Sequence, residues 1–360
     1  MVVGYALGNK DSVEDDILVF GEDDPNVITF SRAMMLSLSR SCRNSCPYCS
    51  FHRPDTLTVP YSTIKQTKTA RSNGVREVVY MSGERPDKSP QVRSNLDLWG
   101  FNSYLDYVYT VCELGFLEGL IPVLELGFLS PLEYKRLSEV SAVAKINLDS
   151  VDSHKFDKVY PNSPGKRLDV RLNSVRWAME AGLPVSSGIM VGIGETESHR
   201  KACFTQLAKL HAEFGLLHEV LIQNFVPERG TPFSAKTAPT HKQMLKVIDT
   251  ARSILPDDVL LSIYPEFNEN IGDFLSAGIR DFGRLFDGPR LLFSKQPRYT
   301  VEELSAIVDQ AGYRLQQRFP LRLEYIKTGK YSSKLGQVFD SYRYKLKKTE
   351  QEKAKALKGT

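Results

Sequence analysis

The sequence predicts an α/β fold, a curled or closed (β/α) barrel followed by a C-terminal extension. Three observations predict it. Seven short apolar runs alternate with helix-length segments along most of the chain. The runs are apolar on both faces, as parallel strands covered by helices must be. Seven such units in one chain favour a barrel over an open sheet, and their irregular spacing is not that of a solenoid.

The elements follow in order. Residues 1–30 carry Asp11, Glu14, Asp15, Asp16, Glu22, Asp23 and Asp24 and read as an acidic, solvated arm, with one edge strand at Ile17 to Phe20. The barrel is expected over residues 31–290. Its strands are Ala33 to Ser39, Glu77 to Met81, Leu120 to Leu126, Val143 to Leu148, Pro184 to Val191, Glu219 to Phe225 and Val259 to Tyr264. Helix-length segments between them include Ile64 to Ser72, Ser103 to Leu117, Leu168 to Ala181, Ser198 to Phe214 and His241 to Ile254. Two of these end in glycine stop signals, Asn73-Gly74 and Ala181-Gly182. Residues 291–330 are expected to form a cap, with a helix from Val301 to Gln317 and a strand from Leu321 to Ile326. Residues 331–360 are lysine-rich and read as a solvated or frayed helical tail.

Composition narrows the function classes. With 41% hydrophobic and 25% charged residues, the chain has the balance of a globular protein with a core. A net charge of +4 is too mild to argue for a nucleic-acid partner. No apolar run approaches the roughly 20 residues of a membrane span. The first residues lack a basic-then-apolar export pattern, so a cytoplasmic protein is expected.

Five cysteines in 360 residues do not make a disulfide framework. Cys112 and Cys203 stand alone in helix-like segments and read as small buried apolar residues. The other three crowd into Cys42-Arg43-Asn44-Ser45-Cys46-Pro47-Tyr48-Cys49, directly after the first strand. A loop at the carboxyl end of a barrel strand is where such folds place their chemistry. Thiolates suit zinc or an iron–sulfur cluster. Three cysteines leave one iron of a four-iron cluster without a protein ligand, open to a chelating molecule. The competing reading is a Cys3His zinc site that recruits His52, in a protein without catalysis. A barrel hydrolase needs a convergent nucleophile or acid/base set, and none of the six histidines stands in such a motif.

The C-x3-C-x2-C loop resembles that of radical S-adenosylmethionine (SAM) enzymes, whose barrel is a partial or full TIM-like one. The resemblance implies a [4Fe-4S] cluster on Cys42, Cys46 and Cys49, with SAM chelated to the free iron and cleaved reductively to a 5′-deoxyadenosyl radical. Tyr48, just before the last cysteine, is then expected against the adenine. Ser82-Gly83-Glu84, after the second strand, resembles the segment that bonds the SAM amino group. Asp149, after the fourth strand, stands where similar enzymes bond the ribose. Arg171 stands where they offer a guanidinium to the SAM carboxylate, although a surface ion pair explains it nearly as well. Gly188 to Thr196 resembles the G-x-I-x-G-x-G-E segment near the adenine, which makes Gly192, Gly194 and Glu195 cofactor-binding candidates. It is not a dinucleotide fingerprint, because Glu197 sits where the third glycine belongs.

Longer stretches resemble the 7,8-didemethyl-8-hydroxy-5-deazariboflavin synthase family, the radical SAM subunit 1 type. They are Ser163 to Lys166, Gly188 to Thr196, and His218 to Phe225 followed by Arg229-Gly230-Thr231-Pro232. The likeness covers roughly Met35 to Gly283. It implies a reaction on an adduct of tyrosine and a ribityl-diaminouracil, begun by hydrogen abstraction and closed with loss of ammonia. It also implies a low-potential donor, ferredoxin- or flavodoxin-like, and a second synthase subunit that makes the adduct. The substrate half departs from the family. Pro122-Val123-Leu124-Glu125 stands where relatives tend to show a polar Pro-His-Thr-Asn stretch, Tyr264-Pro265-Glu266-Phe267 where they show Pro-Pro-Asn-Leu, and Asp281 to Asp287 where they show Asp-Trp-Gly-Gly-Val-Ser-Pro. Glu125 and Glu266 are the candidate catalytic residues there, with Arg284 as a further pocket candidate, and a related enzyme on another small molecule is the alternative.

Overall fold

The computed structural model describes residues 24–73, 75–286, 299–336 and 339–340. The elements are β1 (Val27–Ser39), α1 (Pro60–Ser72), β2 (Glu77–Ser82), α2 (Pro90–Leu98), α3 (Tyr104–Leu117), β3 (Ile121–Glu125) and α4 (Pro131–Leu137). Then come β4 (Val143–Asn147), α5 (Ser153–Val159), α6 (Leu168–Glu180), β5 (Val185–Val191), α7 (Glu197–Phe214), β6 (Leu217–Asn224) and α8 (His241–Arg252). The last are β7 (Leu260–Ser262), α9 (Ile271–Ser276), β8 (Asp281–Phe286), α10 (Val301–Gln310), β9 (Arg314–Gln317) and α11 (Leu323–Thr328).

The strands run in the order β2-β3-β4-β5-β6-β7-β8-β1, and β1 also pairs with β2, so eight parallel strands close into a barrel. The parallel direction puts every carboxyl end on one rim. Helices α1 to α9 return the chain over the outside, where their apolar faces meet the outward residues of the strands in one continuous core.

β1 is 13 residues long because it serves three partners. Val27 to Phe30 pairs with β9, Thr29 to Ala33 with β8, and Ala33 to Ser39 with β2. The sequence reading starts this strand at Ala33, because Thr29, Ser31 and Arg32 interrupt the apolar run. Thr29 and Ser31 are nevertheless buried, their hydroxyls donating to Asp281 and Glu77. The same cause hides β8. Asp281 and Arg284 look like loop residues, yet both are buried in the barrel, where Arg318 and a pair of glutamates neutralise them.

The C-terminal extension differs from its expected elements. The helix from Val301 stops at Gln310, and Gly312 takes φ +83°, a conformation that ends a helix. Residues expected to continue that helix form β9, which joins the sheet beside β1. The expected strand Leu321 to Ile326 does not form: from Leu323 the chain turns into α11, too short for helical periodicity to announce itself. Phe319, Leu321, Tyr325 and Ile326 pack against the interior-facing Val79, Val123 and Val143, so this segment plugs the amino-terminal end of the barrel. The edge strand expected at Ile17 to Phe20 and most of the lysine-rich tail lie outside the described residues, but the start of that tail is not solvated throughout, since Leu335 and Phe339 are buried against the plug.

Candidate active site

The cysteine loop leaves β1 at Ser39 and is fixed by the backbone of neighbouring loops. Arg43 N–H donates to the Glu84 carbonyl at 2.9 Å, and Phe233 N–H donates to the Pro47 carbonyl at 3.0 Å. Glu84 N–H and Asn44 N–H point at the Cys42 sulfur, 3.2 and 3.4 Å away. Such donors stabilise a thiolate. Cys42, Cys46 and Cys49 are all half-buried, whereas Cys112 and Cys203 are buried within the apolar core. Burial pushes the Cys46 thiol up to about 11, against the pull of Lys166 and Arg171. A metal must therefore displace its proton.

Among the described residues no three His, Cys, Asp or Glu side chains converge as ligands of a single metal ion. Cysteines that each hold a different iron of a cubic cluster do not need to converge so closely. The donor set itself, three thiols and nothing harder, suits iron–sulfur chemistry.

The rim beside this loop carries the polar candidates. Glu84, 3% exposed, accepts from Arg43 Nε at 2.7 Å, from Arg171 Nη2 at 2.9 Å and from Phe128 N–H at 3.0 Å. Burial alone would raise its pKa, but Arg171 and Arg43 outweigh burial and hold the carboxyl below its usual range. A Cβ on Gly83 would lie 2.0 Å from the Ser41 carbonyl oxygen, and one on Gly165 only 1.8 Å from Glu84 Oε1. At Gly83 the obstacle is backbone and only glycine fits, whereas a side chain at Gly165 would push the Glu84 carboxylate off its partners. Ser82 is buried at the end of β2.

Asp149 follows β4 with φ +34°, a strained conformation for a residue that is not glycine. Its carbonyl accepts from Tyr160 Oη at 2.6 Å and its Oδ2 from Lys166 Nζ at 3.3 Å. Asp149 Oδ1, Ser150 Oγ and Arg171 Nε are buried without a hydrogen-bond partner. Buried polar atoms seldom stay unpaired, and orphans gathered along one rim mark a place built for a polar ligand. Tyr48 stands edge-on to Tyr160, ring centroids 6.0 Å apart, in an apolar cluster with Cys46, Ile193 and Met190. Gly192 and Gly194 have φ of +101° and +119°, which makes a turn that only glycine adopts freely. Glu195 shapes that turn: its carboxylate accepts from the N–H groups of Gly192, Ile193 and Gly194 at 2.9 to 3.2 Å and pairs with Arg200 at 2.7 Å.

The cofactor candidates named from the sequence thus gather on one rim, with Glu195 acting on its own loop. Arg43, Asn44 and Lys166 join them and were not singled out beforehand. Asn44 accepts from Gly165 N–H at 3.0 Å, a fixed tie between the cysteine loop and the loop after α5. The substrate-side candidates separate. Glu125 ends β3, and Glu266 lies half-buried on the turn Pro265–Phe267 after β7. Arg284 does not line an open pocket: it is 2% exposed and ion-paired with Glu77 and Glu219 deep in the barrel. Lys145 and Tyr264, inside the barrel with Glu125, were not picked out, since Lys145 sits in an otherwise apolar strand.

A closed parallel barrel with a three-cysteine loop after its first strand defines a radical SAM enzyme, and the radical SAM superfamily profile matches residues 36–207. That superfamily implies a [4Fe-4S] cluster and SAM. The 7,8-didemethyl-8-hydroxy-5-deazariboflavin synthase of Methanothermobacter thermautotrophicus is 31% identical over 306 residues, covering 83% of this chain and 93% of its own. That of Methanoculleus marisnigri is 32% identical, covering 85% and 92%. The chain belongs to this synthase family within the radical SAM superfamily. Membership sets the non-catalytic zinc reading aside.

Solved structures agree on the fold. The [FeFe]-hydrogenase maturase HydG superposes with a TM-score of 0.68 at 16% identity, covering 88% of this chain and 70% of its own. Methylornithine synthase (PylB) superposes with 0.59 at 15%, covering 87% and 95%. No helix among the described residues is long and apolar enough to cross a membrane.

Proposed function

We propose that this enzyme forms 7,8-didemethyl-8-hydroxy-5-deazariboflavin from an adduct of tyrosine and a ribityl-diaminouracil. The observation that carries the reading is the likeness to synthases of that product across nearly their whole length, joined to a rim that fits the cofactors. Cys42, Cys46 and Cys49 would hold the [4Fe-4S] cluster, and with three protein thiolates it would keep one iron for SAM. When bound, the cluster supplies the electron that cleaves SAM to methionine and a 5′-deoxyadenosyl radical.

The chain's own groups then have distinct tasks. Glu84 and the carbonyls beside Gly83 accept from the SAM ammonium. Arg171 faces its carboxylate, and Asp149 Oδ1 accepts from a ribose hydroxyl. Tyr48 and the Gly192-Gly194 turn flank the adenine. The C-terminal plug keeps the barrel closed from below, so substrate enters from the cofactor side. Glu125 and Glu266 are the carboxylates nearest the substrate and serve the proton transfers of ring closure and ammonia loss. The reading calls for a ferredoxin- or flavodoxin-like electron donor and a second synthase subunit that supplies the adduct, in the cytoplasm.

The divergent substrate half favours one competing outcome, a related enzyme working on another heterocycle. The test is product analysis after anaerobic reconstitution. Reduced protein given SAM and the adduct should produce the fluorescent deazaflavin. SAM cleavage without deazaflavin would reject this substrate while leaving the radical chemistry intact.

A further inference from the structure

Inside the barrel, below the cofactor rim, lies a polar cluster of which the reading above uses Glu125 alone and leaves Lys145 and Tyr264 unexplained. Lys145 on β4 is 6% exposed, and its Nζ donates to Glu125 Oε2 at 3.1 Å and to Tyr264 Oη at 2.9 Å. β4 and β7 are not neighbours in the sheet, so the Lys145–Tyr264 bond crosses the barrel interior. Val143, two residues earlier on the same face, already packs on the C-terminal plug, so this cluster is the floor of the space. Asp149 stands beyond the end of β4, on the cofactor rim toward which the strand runs.

The cluster holds unused hydrogen-bonding capacity. An ammonium has three N–H groups, and Lys145 spends two. Tyr264 accepts from Lys145, which leaves its own O–H free to donate. Glu125 spends one oxygen on Lys145, and its side chain is 26% exposed, opening into the barrel. One step up the same face of β4, Asn147 Oδ1 is buried without a partner. Burial opposes the charge on Lys145, but Glu125 and Tyr264 outweigh burial and raise its pKa above the ordinary range, so it stays an ammonium and does not shuttle protons. A fixed donor beside a fixed acceptor is a recognition device.

We propose that Lys145, Tyr264 and Glu125 read the edge of a heterocyclic substrate in which a carbonyl stands next to a ring N–H, as in an imide or pyrimidinedione. Lys145 and Tyr264 donate to the carbonyl, and Glu125 Oε1 accepts from the ring N–H. Lys145 is thus a specificity residue, and Glu125 is held in place by it. The inference rests on the reading that the barrel encloses a heterocycle.

The test uses the reconstituted holoenzyme with SAM and two probes, a ribityl-diaminouracil and the same ring methylated at the imide nitrogen. Equilibrium dialysis measures binding of both, and SAM binding is measured alongside. Wild type should bind the parent ring at least tenfold more tightly than the methylated one, because a site built for a hydrogen bond rejects the analogue that lacks it. Lys145→Met should weaken parent-ring binding by about ten- to hundredfold with SAM affinity unchanged. Equal binding of the two rings, no binding of the parent ring, or unchanged affinity in Lys145→Met each overturns the proposal. The probe comparison needs no variant to fold. Deazaflavin formation without discrimination between the rings removes this proposal and spares the proposed function, whereas discrimination without deazaflavin does the reverse.

Discussion

Arg171 on α6 donates to Glu84 after β2 at 2.9 Å, and both side chains are buried. The pair ties the outer helix to the rim beside the cysteine loop. Under the proposed function these charges face SAM, and the pair would hold donor and acceptor oriented before the ligand arrives. Glu84→Gln removes the negative charge that balances Arg171 and Arg43. SAM affinity should fall by about ten- to hundredfold, the range for a charge-assisted hydrogen bond. Iron content should stay at the wild-type level. Equilibrium dialysis with SAM and iron analysis check both halves.

The cysteines should behave as one set. Cys42→Ala, Cys46→Ala and Cys49→Ala should each abolish SAM cleavage and lose the brown colour after anaerobic reconstitution. Cys112→Ala and Cys203→Ala, in the apolar core, should keep both and lose only stability, as a small buried side chain does. Retained SAM cleavage in any of the first three variants would remove that cysteine from the ligand set.

Asp149→Ala should weaken SAM binding about tenfold, since Oδ1 is the orphan acceptor on that rim. Iron content should not change, because Asp149 does not touch the cysteines in hydrogen bonding. Loss of iron in this variant would show that the residue supports the cluster and not the nucleoside.

The barrel floor makes a prediction about stability. Arg318, from the extension, donates to Asp281 at 2.6 and 2.9 Å, with both groups buried. Arg318→Met leaves that carboxylate buried without its cation and should cost about 3–5 kcal/mol. Adding Asp281→Asn should recover part of the loss. Denaturant midpoints of the single and double variants measure both numbers.

His218 sets an acid limit. It is fully buried with neither ring nitrogen bonded, and burial, helped by Arg318, Arg284 and Arg322, holds its pKa well below the ordinary value. Below about pH 6.5 the unfolded chain binds a proton at this position that the folded chain refuses. Stability should therefore fall as pH drops from about 6.5, by up to about 1.4 kcal/mol per pH unit from this group. Glu219, held below its usual range by Arg284 and Arg318 against the effect of burial, adds its own loss only below about pH 4.5. Between pH 5 and 6.5 His199 and His52, whose pKa values burial also lowers, add smaller losses of the same sign. His218→Phe should make the stability curve less steep there by this histidine's share. An unchanged slope would show that the imidazole is protonated in the folded chain.

Much of this was legible in the sequence where apolar periodicity and motif spacing carry information. The strands β2 to β7 announce themselves as runs buried on both faces, and the three cysteines stand apart by spacing alone. β8 and the first half of β1 were not legible, because their interior positions are Asp281, Arg284, Thr29 and Ser31. Only the fold shows which charges neutralise them. Arg284 looked like a pocket residue for the same reason: a lone arginine carries no sign that Glu77, more than two hundred residues away, is its partner. Lys145 reverses that case, since an apolar neighbourhood concealed a charge that the closed barrel brings beside Glu125 and Tyr264.

The central claim is that three cysteines hold a cluster whose remaining iron is left for SAM. Quantifying 5′-deoxyadenosine and methionine from the reconstituted, reduced protein tests it most directly. The account predicts the two products in equal amounts, dependent on reductant and absent from the Cys46→Ala variant. A wild-type protein that carries its full iron and yields neither product would contradict it.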